Sequence, residues 1–504
     1  MKKYLLLIIV ALLTPIIAYA EPIHLTQSII DEVVSTNNVT YDNYKITFFV
    51  DNSSNSGLML NGGEYILDED IDLHKANIDT TTDSLVLNLN GHKITNELDS
   101  ITGYRQYSTV GGAYYAYDLT INGPGEIYYS PYSSSDMRAL ISYGKNWTIN
   151  DVTVYGYGKY MPIDGKEGDV RINNSHLTWG FQNWGGNIYI ENSILGDDPT
   201  NNIYNKLEAT IVYVNNSTLY SGTSDALAWD EHNGSIGKLT VTNSKIIGRD
   251  WHNGVRICSK GEVVIENSEL VGLDGLYIQE PVTISLADVH LLSSDNTRYH
   301  NSIGVTYDTT LEMEELFATF LKEGYIYWKD PVYELYNGNY FLGKDDMWII
   351  KAQQEYTSED STYVIPEENE IIIKVLGYKY LLEGLKINGT VLSDDLYEVL
   401  DNTTNTNEIS IKLNPDYLKT LGEDNYQVEV VFANGSSTSK LSVKDIEVDE
   451  NPTIQEEIKG EEETVEEKKN PKTGLFNYMI LLLPLAIVGI VYLVISKKTY
   501  FKGM

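Results

Sequence analysis

Cysteine is almost missing. The single Cys258 in 504 residues cannot close an intramolecular disulfide, which excludes a disulfide framework and a paired-cysteine zinc or redox site. Stability has to come from packing and hydrogen bonds. Basic residues are scarce too, 36 Lys and Arg against 72 Asp and Glu, for a net charge of −36. Such a chain repels phosphate backbones and anionic headgroups, so nucleic acid is not an expected partner. The common catalytic signatures HExxH, GxSxG and the EF-hand loop do not occur, and residues 234–240 lack the Gly-x4-Gly-Lys spacing of a phosphate loop. His232 and His252 stand apart without further ligands at metal spacing. Phosphoryl transfer and zinc hydrolysis are therefore not expected. Proline is limited to 13 residues, whereas Gly and Tyr number 39 each, a balance that favours strands joined by tight turns. The length suits roughly three domains of about 150 residues, or one elongated solenoid with appendages.

The two ends look like addresses. Lys2 and Lys3 precede the apolar run from Leu5 to Ile17, and Ala18, Tyr19 and Ala20 are small enough for signal peptidase. A signal peptide over 1–20 and a mature chain from Glu21 are expected. At the other end, residues 475–496 would rise roughly 33 Å as a helix, enough to cross a bilayer. Lys497, Lys498 and Lys502 follow as cytoplasmic anchors. Just before lie Asn470, Pro471, Lys472, Thr473 and Gly474, and this order of motif, apolar span and basic tail resembles a Gram-positive cell-wall sorting signal. The resemblance implies that a sortase cuts between Thr473 and Gly474, holds Thr473 as a thioester, and passes it to a peptidoglycan amine. The protein would then be secreted and covalently anchored to the cell wall, meeting the membrane only through the helix before processing. Asn470 stands where that motif has Leu, which leaves the sortase class open. A single-pass membrane protein with its N-terminal region outside is the other reading. Residues 445–469 are rich in glutamate and poor in large apolar residues, the composition of an extended acidic spacer.

Between residues 85 and 290 a short β-forming unit recurs, ending in a polar pair. Examples are Leu119-Thr120-Ile121-Asn122-Gly123, Ile188-Tyr189-Ile190-Glu191-Asn192 and Leu239-Thr240-Val241-Thr242-Asn243. The first copy is read as Leu87-Asn88-Leu89-Asn90-Gly91 and the ninth as Val282-Thr283-Ile284-Ser285-Leu286. Nine copies give a period of roughly 24 residues. Three short strands and three turns fill that length, whereas βα units need more residues per strand. Five copies carry the pair Asn-Ser, from Asn174-Ser175 to Asn267-Ser268. If successive coils stack about 4.8 Å apart, those amides can bond one above another as a ladder.

This pattern, with Leu89-Asn90-Gly91-His92-Lys93-Ile94 in an early coil, resembles the right-handed parallel β-helix of the pectate-lyase-like superfamily over about 58–300. The expected fold is mainly β: a right-handed parallel β-helix solenoid followed by a small Ig-like antiparallel β-sandwich. Residues 21–57 should cap its start, with Ile29, Ile30, Val33 and Val34 on one helical face. A helical cap and connector is expected over 301–350. There Thr309 and Glu312 form a capping box, Met313, Leu316, Phe317, Phe320 and Leu321 an apolar face, and Gly324 a terminator. Residues 351–444 carry Leu382-Glu383-Gly384-Leu385, Tyr397, Ile409-Ser410-Ile411 and Tyr417-Leu418, which resemble the Ig-like X2 type of module of Gram-positive surface proteins. Its Tyr and Leu positions look like core, which favours a rigid spacer over a sugar-binding domain.

A solenoid brings distant residues into outward columns. Aligning Leu227-Ala228-Trp229-Asp230 with Val255-Arg256-Ile257-Cys258 and Leu276-Tyr277-Ile278-Gln279 draws Asp230, Glu231 and Arg256 together as candidate catalytic residues. Two carboxylates near an arginine suit acid and base work on a glycosidic bond, or suit holding Ca²⁺ and a uronate while the arginine takes a proton. The same trio also reads as a surface ion pair. Trp179, Trp184 and Tyr277 offer flat faces for sugar rings, or pack under loops. Asp197 and Asp198 either begin a calcium site or form a plain turn. The expected function is thus a wall-displayed protein that binds extracellular polysaccharide or host glycans. A polysaccharide lyase or glycoside hydrolase on the same flank is the alternative, and an inert stalk the third reading.

Overall fold

The computed structural model describes residues 22–445, apart from intervals of which the longer are 98–107, 111–117, 131–137, 197–205, 231–235, 295–300 and 401–407. The expected signal peptide, the sorting segment 470–504 and all but the first residue of the acidic spacer lie outside the described residues. Among the described residues no helix is long and apolar enough to cross a membrane.

The chain winds as a parallel β-solenoid, and strands make up 63% of the structure. Segments 85–88, 119–122, 147–150, 170–173, 188–191, 212–215, 239–242, 263–266 and 284–287 pair in parallel, each with the next. Alternate side chains turn inward, and Leu87, Ile121, Ile149, Ile172, Ile190 and Val214 are at most 1% exposed. Each such burial contributes roughly 1.5–3 kcal/mol. A second face follows from Lys93–Glu97. The third runs through Lys206–Glu208, Leu227–Asp230, Val255–Ile257, Asp274–Ile278 and Asn301–Val305. In the earlier coils a separate parallel run, Ser56–Leu60, Asn77–Asp79, Ser108–Val110, Arg138–Ser142 and Gly158–Tyr160, is read from the backbone alone.

The two outer copies of the repeat are corrected by two residues each. Leu119 pairs with Leu85 rather than Leu87, and Val263 pairs with Ile284 rather than Val282. A slip of two leaves every side chain on its own face, so alternation cannot detect it.

The polar pair is the hinge of each coil. Asp151, Asn174, Asn192, Asn216, Asn243, Asn267 and Asp288 all sit at φ of 47–57°, the left-handed region that Asn and Asp tolerate best after glycine. The amide ladder exists in two pieces. Asn122 donates to Asn88 at 2.8 Å, Asn150 to Asn122 at 2.9 Å and Asn173 to Asn150 at 2.8 Å, one position before the expected column. In the expected column Asn216 donates to Asn192 and Asn267 to Asn243, both at 2.7 Å, while Asn243 reaches Asn215 at 2.9 Å. The serines form a ladder of their own. The backbone N–H of Ser175, Ser193, Ser217 and Ser244 each donates to the serine hydroxyl of the next coil, at 3.0–3.2 Å. Each hydroxyl in turn donates to the carbonyl two residues before it, as Ser217 does to Asn215 at 2.8 Å. Buried corner groups that would otherwise be orphaned are thereby paired.

Both ends of the solenoid are covered. The helix Gln27–Ser35 buries Ile30 and Val33, and Ile23–Leu25 adds a parallel strand to Gly63–Leu67. At the far end the helix is short, Met313–Ala318, with Glu312 as its N-cap. The expected capping box does not form: Glu312 makes no side-chain cap, and Thr309 Oγ1 instead accepts from Leu311 N–H. A Thr three residues ahead caps only if it is itself the N-cap, and here the chain stays extended until Glu312. Leu316, Phe317 and Phe320 are buried on the last coil, and Gly324 takes φ 84°. More of this region is strand than helix. Asp346–Lys351 closes the edge of Val282–Ser293, and Asn339–Leu342 closes that of Asn301–Val305, both antiparallel.

Residues 351–444 form two small antiparallel sheets. One holds Ser361–Val364, Gly435–Lys444, Asp424–Phe432, Leu382–Ile387 and Thr390–Val391; the other holds Ile372–Leu376, Glu408–Leu413 and Tyr397–Leu400. Leu385 and Leu418 are core, but Tyr397 and Tyr417 are only half-buried.

Candidate functional site

On the third face the strand register places Leu227 opposite Val255 and Leu276, and Ala228 opposite Arg256 and Tyr277. Side chains from three coils thus form one outward column, bounded by Gly304 on the next coil. Beside it runs a second column in which Trp184 pairs with Glu208 and Glu208 with Asp230. Asp230 is half-buried at its end. Glu231 and Trp179 lie outside the described residues, and of Trp184 only the backbone position is described.

The guanidinium of Arg256 is committed elsewhere. Its Nε stands 2.9 Å from Asp225 Oδ2, and the Asp225 side chain is only 7% exposed. Asp225 Oδ1 also accepts from the backbone N–H of Asn253 at 2.8 Å and from Asn253 Nδ2 at 2.9 Å. Asn253 Oδ1 accepts from Asp274 N–H at 3.3 Å. A buried carboxylate at a corner is costly unless a cation and hydrogen bonds compensate it, and Arg256 supplies that cation. Arg256 thus has an ion-pair partner that the expected grouping with Asp230 and Glu231 does not include, a residue that the outward columns do not contain. Asp225 lies 31 positions earlier in the segment leading into Leu227–Asp230, and no local pattern in the sequence announces it.

A second feature lies where the first and second faces meet. A groove of about 590 Å³ runs over the corner residues of successive coils. Asp151, Asn174 and Asn192, all exposed, stand along one side. Glu126, Thr153 and His176 form the opposite column, since Glu126 pairs with Thr153 and Thr153 with His176. The upper end is fixed by Asp70, whose Oδ1 accepts from Lys93 N–H at 3.0 Å and lies 3.4 Å from His92 Nδ1. Lys93 Nζ sits 4.7 Å above the ring of Tyr128, which in turn lies 5.7 Å from that of Tyr155. Gly125 is required here, because a Cβ would fall 2.6 Å from the carbonyl of His92. Sequence reading passed over this groove although its walls include the Asn-Ser pairs; their regularity pointed to structure, and the gap beside them depends on coil stacking.

Among the described residues no group of three or more His, Cys, Asp or Glu side chains is placed to hold a metal ion, and Asp197 and Asp198 lie outside them.

No protein-family model matches the chain, and no curated protein matches it. Among the solved structures that share short segments with it are the following two. One, of the titin kinase and its flanking domains, is 9% identical over 20% of this chain and 19% of that one, with a TM-score of 0.14. The other, of the Bacteroides ovatus mixed-linkage glucan utilization locus protein SGBP-B in complex with a mixed-linkage heptasaccharide, is 13% identical over 24% of this chain and 38% of that one, with a TM-score of 0.13. The chain spans well under half of the length of both, and the solenoid rests on its own strand pairing.

Proposed function

We propose that this chain is a secreted, wall-anchored binding protein whose solenoid holds an extracellular polysaccharide or host glycan in the corner groove. In this reading the solenoid is right-handed, residues 351–444 are an Ig-like X2-type spacer, and a sortase acting at Thr473 links the protein to peptidoglycan. The groove carries the proposal. It is open, about 590 Å³, and lined by amide, hydroxyl, carboxylate and imidazole groups, the side-chain chemistry that pairs with sugar hydroxyls. The polysaccharide lyase or hydrolase alternative would draw on Asp230 and Arg256. The commitment of Arg256 to buried Asp225 weighs against it, since an arginine holding a buried charge is poorly placed to take a proton.

The test is a glycan panel incubated with the full chain. Retention without new reducing ends or unsaturated uronate absorbance, abolished by Thr153→Trp in the groove, is the expected result. Turnover that disappears in Asp230→Ala would replace binding with catalysis, and no retention on any glycan would leave an inert stalk. Cell-wall fractionation before and after Thr473→Ala tests the anchoring.

A further inference from the structure

The function proposed above leaves the charge and pose of the ligand open, and the following rests on it. We infer that the groove takes an amine-bearing glycan, a chain of glucosamine-type units, laid along the solenoid axis with one sugar per coil.

The pose follows from the way the groove is built. Its lining comes from six successive coils, represented by Asp70, His92, Glu126, Asp151, Asn174 and Asn192. Successive coils stand about 4.8 Å apart, close to the advance of an extended pyranose chain per sugar. The amides and carboxylates along the corner therefore repeat in step with such a polymer. A ligand lying across the coils would meet only one or two of these groups.

The charge preference follows from the lining. Three carboxylates, Asp70, Glu126 and Asp151, face one ammonium, Lys93, and that ammonium already lies over Tyr128. The net charge of −36 adds a long-range field of the same sign. A uronate or sulfated chain would be repelled, whereas a protonated sugar amine is attracted by each carboxylate it approaches. Glu126 is half-buried, so its attraction is screened less than that of exposed Asp151.

The probes are deacetylated chitin oligosaccharides of increasing length, the N-acetylated equivalents, and oligogalacturonates, each titrated against the full chain near neutral pH. Deacetylated oligomers should bind about tenfold more tightly than acetylated ones of equal length, a difference of ~1.4 kcal/mol. Affinity should level off near six units, and the preference should shrink with added salt. Glu126→Gln together with Asp151→Asn, isosteric changes that spare the fold, should bring the ratio close to one. Equal or tighter binding of oligogalacturonate, or a ratio untouched by those changes, overturns the inference. If acetylated and deacetylated oligomers bind alike and Thr153→Trp removes both, the charge preference falls while glycan binding stands. If no oligomer is retained, the inference falls, and the wider glycan panel decides the proposed function.

Discussion

His290 lies flat on Trp348, with ring centroids 3.4 Å apart and planes within 6°, joining the last solenoid strand to the antiparallel strand that closes it. The imidazole also sits between two carboxylates, Nε2 at 2.8 Å from Asp346 and Nδ1 at 3.5 Å from Glu269. Glu269 is held below its ordinary value, chiefly by the hydrogen bond with His290; burial opposes this and Lys245 adds to it. An acid depressed in this way stabilises the fold above the unfolded glutamate range, and that contribution is lost as pH falls through the folded value. Urea midpoints should therefore drop on acidification by more in the wild type than in Glu269→Gln. An equal drop would mean that Glu269 is not coupled to the closing strand. Trp348→Ala should cost about 1 kcal/mol from lost ring contact alone, at either pH.

The serine ladder makes a sharp prediction. In Ser217→Ala the buried N–H of Ser193 loses its acceptor, while the carbonyl of Asn215 loses one of its two donors and keeps Asn192 N–H. The expected cost is about 1–3 kcal/mol in chemical denaturation. A change within a few tenths would show that water replaces the hydroxyl.

Left-handed corners can be separated from the amide ladder by two substitutions at Asn216. Asn216→Gly keeps the backbone at φ 47° and removes only the bond to Asn192, while Asn216→Val adds the strain of a β-branched residue there. Thermal unfolding should place the valine variant below the glycine variant by about 1–2 kcal/mol. If the two unfold alike, the corner geometry does not depend on this residue.

Arg256 is expected to act on stability. Arg256→Ala strands the buried charge of Asp225, a loss of about 3 kcal/mol, and Asp225→Asn in that background should recover part of it. A double-mutant cycle reads the coupling directly. Full additivity of the two changes would place the arginine back on the surface as an independent group.

Much of the solenoid was legible in one dimension. The inward rows at Leu227, Val255 and Leu276 follow from strict alternation, and the structure pairs those residues in that register. The outer copies slipped by two because Leu85, Leu87 and Leu89 are all inward-facing, so the pattern alone has no unique origin. The origin is set by Asn88 bonding to Asn122 across 34 residues. The capping box failed for a similar reason: Thr309 and Glu312 have the right spacing, but where the helix begins depends on how Leu316 and Phe317 seat on the last coil. The expected trio on the third face paired residues by column, and columns carry no information about charges buried at corners.

The amino-acid order on its own determined that short strands recur every two dozen residues, that their branched side chains face inward, and that Asn or Asp stands at most of the tight corners. Those are local matters of alternation and backbone preference. Which carboxylate Arg256 compensates, and that the corners of six coils enclose a groove from Asp70 to Ile194, were decided only by stacking. Both depend on residues brought together across many turns of chain, where contact is set by the rise between coils and not by neighbourhood in sequence.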